Sequence, residues 1–223
     1  MINLKDVTLI TVTSRNIEET IDALIYSTQK IKFGEIKFIS HIKPDSLQRT
    51  ASYEYCEELD SIKKYSYYMI YNLQNHINTK YCITFQHDGY ILRPEKWSDE
   101  FFEWDYIGAP WPINPNAYIT PFGENIRVGN GGFSFRSKKL LEVPNHINIP
   151  FEINVGNFYK HMNANSYNED GNICVHNRHL YEYMGCKFAP ITTAAKFSQE
   201  IQVLEAYNIE PFGFHKFKLI LKN

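Results

Sequence analysis

The sequence predicts an α/β fold with a largely parallel sheet, and three observations lead to this prediction. Residues 7–13 form a β-branched run that is typical of a strand, and Glu18 and Glu19 then suit the first turn of a helix. Residues 35–40 form a second strand-like run. Since a strand, a helix and a strand form a right-handed crossover, the two strands should run parallel and end at one edge of the sheet.

A third strand precedes the most informative acid of the chain. Residues 45–60 are polar and allow no assignment, but helical spacing over residues 68–77 leads into the apolar stretch that begins at Tyr81. Asp88 and Gly89 follow this stretch. Ligands of open α/β sheets bind beyond the carboxyl ends of the strands, so the Asp88 carboxylate is placed to hold a metal. The alternative is that Asp88-Gly89 closes a hairpin, because this dipeptide is a strong turn signal.

The second half of the sequence has fewer regular patterns. Beyond Pro94, aromatic residues and turn formers predict a loop with one short helix, and residues 128–132 form a glycine-rich turn. An alternating strand should follow over residues 133–137. The next helix begins at Lys138 and should stop before Pro144, since the residue before a proline is biased away from the helical conformation.

A later acidic pair allows two interpretations. Glu169 and Asp170 suit the N-terminal turn of a helix that ends near Gly185, because the helix dipole favours acids there. His176 and His179 share one helical face, so with either acid they could hold the zinc ion of a hydrolase. The His-Glu-x-x-His pattern of such enzymes is absent, however, and this alternative leaves the acid after the third strand unexplained.

The composition excludes some classes of function. The 223 residues include 23 basic and 25 acidic side chains, a formal net charge of -2, so the chain lacks the basic surface that nucleic-acid binding needs. No segment resembles a secretion signal or reaches transmembrane length, and we therefore predict a cytoplasmic protein, with peripheral membrane contact left open. The four cysteines have no zinc-site spacing and should be reduced thiols: Cys56, Cys82, Cys174 and Cys186.

Seven short segments occur in an order that resembles one family. They lie between about residue 70 and residue 215 and are Gln86-His87-Asp88-Gly89, Asp105-Tyr106-Ile107-Gly108-Ala109-Pro110-Trp111, Val128-Gly129-Asn130-Gly131-Gly132-Phe133-Ser134, Glu169-Asp170, Phe188-Ala189-Pro190, Phe197-Ser198-x-Glu200 and Phe212-Gly213-Phe214-His215. The set resembles the GT-A type of nucleotide-sugar glycosyltransferase, in particular a small family catalogued as a domain of unknown function. This resemblance implies one GT-A-like (Rossmann-like) domain over residues 1–223, with a mixed, mainly parallel central sheet flanked by helices. Its donor-binding half would be about 1–95 and its acceptor and catalytic half about 96–223.

The resemblance also implies a reaction and roles for four residues. A sugar would pass from a nucleotide diphosphate-sugar to a hydroxyl of a glycan or glycolipid. The presence of a candidate base favours inversion of the anomeric carbon, with retention left open as the alternative. Asp88 and His215 would hold Mn²⁺ or Mg²⁺, which stabilises the charge on the leaving diphosphate. Asp170 is the first choice for the base that accepts the acceptor proton, and Glu169 is the second.

Donor contacts are expected from the end of the first strand, the third-strand turn and the glycine-rich turn, at Thr13, Ser14, Arg15, Gln86, His87, Asp88, Gly131 and Gly132. The two glycines could admit the donor sugar or could serve only a tight turn. Gln86 replaces the first acid of the usual Asp-x-Asp motif. A hard cation tolerates this, because phosphate oxygens and water complete its coordination.

Three further alternatives remain open from the sequence. Arg136 could neutralise phosphate, but a solvated charge at a strand end is the preferred interpretation. Trp111 could form a platform for the acceptor sugar or belong to a packed hydrophobic rim. Because one motif acid is missing, the chain could also be an inactive module that binds carbohydrate or nucleotide on the same fold.

Overall fold

The computed structural model describes residues 1–115, 118–151 and 168–216. Its strands and helices in chain order are β1 (Ile2–Val12), α1 (Ile17–Thr28), β2 (Ile31–Ser40), β3 (Ser52–Tyr55), α2 (Ile62–Tyr71), β4 (Tyr81–Phe85), β5 (Gly89–Ile91), β6 (Tyr106–Ile107), β7 (Phe133–Ser137), α3 (Lys138–His146), α4 (Glu169–Gly171), α5 (Arg178–Tyr183), α6 (Ile191–Phe197), β8 (Ser198–Gln199) and β9 (Gly213–His215). A π-helical segment, Asn172–His176, joins α4 to α5. No helix in these three ranges is long and apolar enough to cross a membrane.

The main sheet is mixed and mainly parallel, as predicted. Within the described ranges it has six strands in the order β3-β2-β1-β4-β7-β6. The pairs β3-β2, β2-β1 and β1-β4 are parallel, whereas β7 runs antiparallel to both of its neighbours. The carboxyl ends of β1 and β4 therefore meet at one edge of the sheet, which is where the sequence places its candidate site.

Helices cover both faces of this sheet because the long central strand is apolar on both sides. Leu9 of β1 packs in one buried cluster with Leu24 of α1, and the next residue, Ile10, packs in a second cluster with Met69 of α2 and Leu140 of α3. Successive strand residues point to opposite faces, so a continuous apolar run can anchor two layers of helices.

A second, smaller sheet positions the candidate metal ligands. The Gly89 amide donates to the Gln86 carbonyl over 2.9 Å, and this turn directs the chain out of β4 into β5. β5 pairs antiparallel with β9, with Gly89 opposite His215, and β9 pairs parallel with β8. The Asp88-Gly89 turn therefore does not close a hairpin onto β4.

Two predicted helices differ from the sequence pattern. Helix α3 passes Pro144 and ends at His146, because the proline removes only one backbone donor and the buried residues Leu140, Leu141 and Val143 anchor the helix. The helix predicted up to Gly185 is interrupted by the π-helical segment, in which the Asn177 amide donates to the Asn172 carbonyl over 2.9 Å. These two buried asparagines also bond through their side chains.

Candidate active site

The carboxyl ends of the central strands open into a cavity of about 330 Å³. Its wall is formed by α2, the end of β4, the glycine-rich segment before β7, the start of α4 and the end of β9. The polar and ionisable side chains that line it are Tyr65, Gln86, Asn130, Glu169, Asp170, Glu200, His215 and Lys216. Segments from both halves of the sequence thus meet at one site.

A second cavity of about 230 Å³ lies at the end of β1. The predicted donor residues Thr13, Ser14, Arg15 and His87 line it. Both cavities are bounded by Ile62, Tyr65 and Gln86, so they form one cleft with two compartments.

Asp88 and His215 lie side by side next to this cleft. The Oδ1 atom of Asp88 is 3.5 Å from Nε2 of His215, and the side chains keep 28% and 10% of their exposure. His215 lines the larger cavity, whereas Asp88 is not among the residues that line either one. Burial lowers the pKa of His215, but the carboxylates of Asp88 and Glu200 outweigh it and raise the pKa to about 9. The same contact lowers the pKa of Asp88 despite its burial.

This pair could hold a divalent cation in exchange for the proton that the raised pKa of His215 keeps on the imidazole at neutral pH. Asp88 Oδ1 is buried and has no hydrogen-bond partner. No group of three His, Cys, Asp or Glu side chains in the described ranges could hold a metal. A cation here would have two protein ligands, with phosphate and water supplying the rest.

Asp170 is held at the cavity wall by backbone donors. Its Oδ2 accepts from the Gly131 amide over 3.1 Å, and its Oδ1 accepts from the Gly171 amide over 2.7 Å. Burial, reinforced by the neighbouring Glu169 carboxylate, raises the pKa of Asp170 from 3.8 to about 6. A carboxylate with this pKa is ionised at neutral pH and is a stronger base than an ordinary aspartate.

Glu169 has a different environment, and the prediction for its partner Arg136 was wrong. The Arg136 side chain is fully buried, and its Nη2 donates to Glu169 Oε1 over 3.1 Å. Its Nε donates to Ser134 Oγ over 3.0 Å, and its guanidinium lies 5.4 Å from the centre of the Tyr106 ring. β7 is buried along its whole length, so Arg136 has no access to solvent. Glu169 thus neutralises a buried cation.

The two glycines make room for these side chains. A Cβ on Gly131 would lie 1.8 Å from Glu169 Oε1, and a Cβ on Gly132 would lie 2.1 Å from His215 Nε2. Neither glycine has a positive φ; the left-handed residue of this segment is Asn130, with φ 71°. Both still line the cavity, so a close approach of the donor remains compatible with their positions.

The other predicted donor residues are partly engaged in structure. Ser14 Oγ accepts from the Leu59 amide over 2.8 Å, and Arg15 Nη2 donates to the Asp60 carbonyl over 2.7 Å. Thr13 Oγ1 donates to the Arg15 carbonyl over 2.5 Å. These bonds hold the β1 end against the segment before α2 and so shape the smaller cavity.

Two predicted side chains at the β4 turn also have partners. Gln86, which replaces the first acid of the Asp-x-Asp motif, donates from Nε2 to the Tyr65 hydroxyl over 3.1 Å. Both side chains line the two cavities. His87 Nε2 lies 3.2 Å from Asn16 Nδ2.

The position of Trp111 is compatible with both interpretations of its role. It is buried and stacks on Tyr118, with ring centres 4.1 Å apart and planes at 12°, yet both rings line the larger cavity. The histidines of the zinc alternative are placed differently: His176 is buried, which lowers its pKa to about 4, and His179 packs edge-on against Phe122. The described ranges contain no zinc-binding group around them.

Glu200 is a site residue that the sequence analysis did not select. Its Oε1 lies 3.4 Å from His215 Nδ1, and its Oε2 accepts from Asn130 Nδ2 over 2.8 Å. It also contacts the ammonium group of Lys216. Burial raises the pKa of Glu200, but the positive charges of His215 and Lys216 at short range outweigh this and lower it. Its presence in the Phe197-Ser198-x-Glu200 segment was the available signal.

The observed fold is a mixed α/β sheet between helices with a two-compartment cleft at the strand ends. A family described as "Protein of unknown function (DUF5672)" matches residues 49–215, which is most of the chain, and the protein belongs to this family. Among curated proteins no sequence matches.

Two solved structures are similar at low levels of identity. One is the apo-form glycosyltransferase GlyE of Streptococcus pneumoniae TIGR4, at 11% identity and a TM-score of 0.43, with 95% of this chain and 54% of that chain covered. This chain therefore spans about half the length of GlyE. The other is a glycosyltransferase involved in the glycosylation of the major capsid of PBCV-1, at 12% identity and a TM-score of 0.48, with 97% and 94% covered. A likeness at this level assigns no activity to the chain.

Proposed function

We propose that the protein is a metal-dependent glycosyltransferase of the GT-A type. It would move a sugar from a nucleotide diphosphate-sugar to a hydroxyl of a glycan or glycolipid, with inversion. The observation that carries the proposal is that Asp170, a carboxylate with a raised pKa, and His215 line the same cavity, with Asp88 Oδ1 3.5 Å from the His215 imidazole beside it.

The cleft has a compartment for each part of the donor. Thr13, Ser14 and Arg15 line the smaller cavity at the β1 end, which suits a nucleoside. Asp88 and His215 are the residues that would hold Mn²⁺ or Mg²⁺ beside the diphosphate. The cation supplies Lewis-acid stabilisation of the negative charge that forms on the leaving nucleoside diphosphate.

Asp170 supplies the base for the acceptor. The acceptor oxygen attacks the anomeric carbon while the bond from that carbon to the phosphate oxygen breaks, and the hydroxyl proton passes to Asp170. One displacement from the opposite side inverts the anomeric carbon. Trp111 and Tyr118 offer aromatic surface on the same cavity for a sugar ring.

A thermal-shift screen tests the donor part of this proposal. A ligand that binds only the folded protein raises Tm, so the matching nucleotide sugar should raise it, and Mn²⁺ should enlarge the effect. The proposal fails if no member of a broad nucleotide-sugar panel shifts Tm with or without Mn²⁺.

A turnover assay separates the enzyme from an inactive binding module of the same fold. The donor from the screen is incubated with glycan and glycolipid acceptors, and release of nucleoside diphosphate is measured. Donor binding without release under any acceptor would support the binding module instead.

A further inference from the structure

We propose that Glu200 is a positioning residue for the cation site: it orients the imidazole of His215 so that Nε2 faces Asp88. This inference rests on the proposed function, because it concerns the cation that Asp88 and His215 would share. It adds a residue that acts through His215 without being a ligand.

The geometry of the imidazole supports an indirect role. Nδ1 of His215 lies 3.4 Å from Glu200, and Nε2 lies 3.5 Å from Asp88. The two nitrogens flank Cε1 and point in divergent directions, so a carboxylate at Nδ1 leaves Nε2 to face Asp88. Histidines that bind metals commonly direct their other nitrogen to a carboxylate, which fixes the ring orientation and increases the basicity of the ligand nitrogen.

The small sheet places Glu200 at this position. β8 pairs parallel with β9, with Ser198 opposite Gly213 and Gln199 opposite Phe214. One further step in this register places Glu200 beside His215. Glu200 follows directly after the last paired residue of β8, so the pairing of Gln199 with Phe214 sets where its side chain begins.

Other contacts hold the Glu200 carboxylate in place. Its side chain keeps only 8% of its exposure and accepts from Asn130 Nδ2 over 2.8 Å. Asn130 Oδ1 in turn accepts from the Gly132 amide over 3.0 Å, and Gly132 is the residue against which the His215 ring packs. Glu200 therefore connects the imidazole to Asn130, while Gly132 of the same segment packs against the ring.

The test measures Mn²⁺ binding, independently of turnover. Affinity is measured by electron paramagnetic resonance with Mn²⁺ alone and with Mn²⁺ plus inorganic pyrophosphate, and pulsed measurements detect the ¹⁴N coupling of a ligating imidazole. Glu200→Gln keeps the size of the side chain and its bond to Asn130 but removes the charge. We expect it to weaken Mn²⁺ binding about 10- to 100-fold and to reduce the ¹⁴N coupling. Glu200→Asp should recover part of the affinity.

Glu205→Gln is the matched control. Glu205 accepts from both terminal nitrogens of Arg127 and does not line the cleft, so this variant should bind Mn²⁺ like the wild type. Thermal melting monitors the fold of each variant. If Glu200→Gln does not fold, Glu200→Asp carries the test, with an affinity below that of the wild type expected.

The outcomes separate the two proposals. Wild-type protein that binds no Mn²⁺ under either condition overturns the cation site of the proposed function, and this inference with it. If the wild type binds Mn²⁺ with ¹⁴N coupling, and folded Glu200 variants show the same affinity and coupling, only the role of Glu200 is overturned.

Discussion

The carboxylate of Asp88 lies 3.5 Å from the imidazole of His215, although the two residues come from distant parts of the chain. Strand β5 begins directly after Asp88 and pairs with β9, which places Gly89 opposite His215. Backbone pairing in a small sheet therefore sets the distance between the two side chains. A fixed distance of this kind is what a preorganised cation site requires.

Replacing Asp88 should abolish transfer while the fold persists. The Asp88→Ala variant loses one of two proposed cation ligands, and Lewis-acid stabilisation is worth several kcal/mol, so sugar transfer should fall about 100-fold or more. Nucleoside diphosphate release at saturating donor and Mn²⁺ checks this. Asp6→Ala, at a half-buried acid of β1 next to Lys80, is the control and should retain full activity. Equal activity of both variants would remove Asp88 from the site.

The activity should fall on the acid side of pH 6. Asp170 acts as a base only when ionised, and its pKa is raised to about 6, so kcat/KM should decrease about tenfold per pH unit below that value. Asp170→Asn should lose about 10²- to 10⁴-fold in kcat, and its residual rate should no longer show this acid limb. A pH profile of both proteins makes the comparison. An unchanged acid limb in the variant would assign the titration to another group.

Ionisation of Asp170 should also cost stability. The folded pKa is above the ordinary 3.8, so the folded state binds the proton more tightly, and this contribution is lost as pH rises from about 4 through about 6. Urea unfolding of the wild type and Asp170→Asn across this range should show a smaller loss of stability in the variant. Parallel curves would contradict the raised pKa.

Glu169 should matter more for stability than for proton transfer. Glu169→Leu leaves the buried Arg136 guanidinium without its carboxylate, which should lower the free energy of unfolding by about 3–5 kcal/mol. The double variant Arg136→Met with Glu169→Leu should regain most of this, because an apolar pair carries no desolvation cost. Urea denaturation measures both. If Glu169→Leu is as stable as the wild type, the fold does not need this ion pair, and Glu169 remains a candidate for the catalytic base.

The two adjacent glycines should give different defects. Alanine at position 132 would place its Cβ 2.1 Å from His215 Nε2, so Gly132→Ala should displace the imidazole and weaken Mn²⁺ binding. Gly131→Ala meets the Glu169 carboxylate instead and should mainly reduce stability. Mn²⁺ titration together with thermal melting distinguishes them. The same defect in both variants would indicate a general disturbance of the segment.

Local patterns predicted the elements that have strong periodicity. β1, α1 and β2 form as expected, although β1 begins at residue 2 and not at 7, and β2 begins at residue 31 and not at 35. β3 and β6 were missed because they are short, and β3 lies in a polar stretch where neighbouring strands supply the pairing. A two- or four-residue strand has too little pattern to stand out from a loop.

Arg136 shows where sequence interpretation reached its limit. A single arginine near a strand end most often faces solvent, and nothing close to it in sequence indicates burial. Its partner, Glu169, enters from α4, and the two meet only because β7 is covered on both sides. Glu200 was overlooked for a related reason, since its position beside His215 depends on the pairing of β8 with β9.

The sequence by itself determined an α/β fold, an acid just beyond a central strand and a later acidic pair at a helix start. These features follow from local periodicity and from the rule that strand ends deliver side chains to a cleft. Only the tertiary structure decided that Asp88, His215 and Glu200 form one chain of contacts, and that Glu169 neutralises Arg136 while Asp170 faces the cavity. The reason is that these contacts join segments far apart in the chain, and their energies depend on burial that no local pattern encodes.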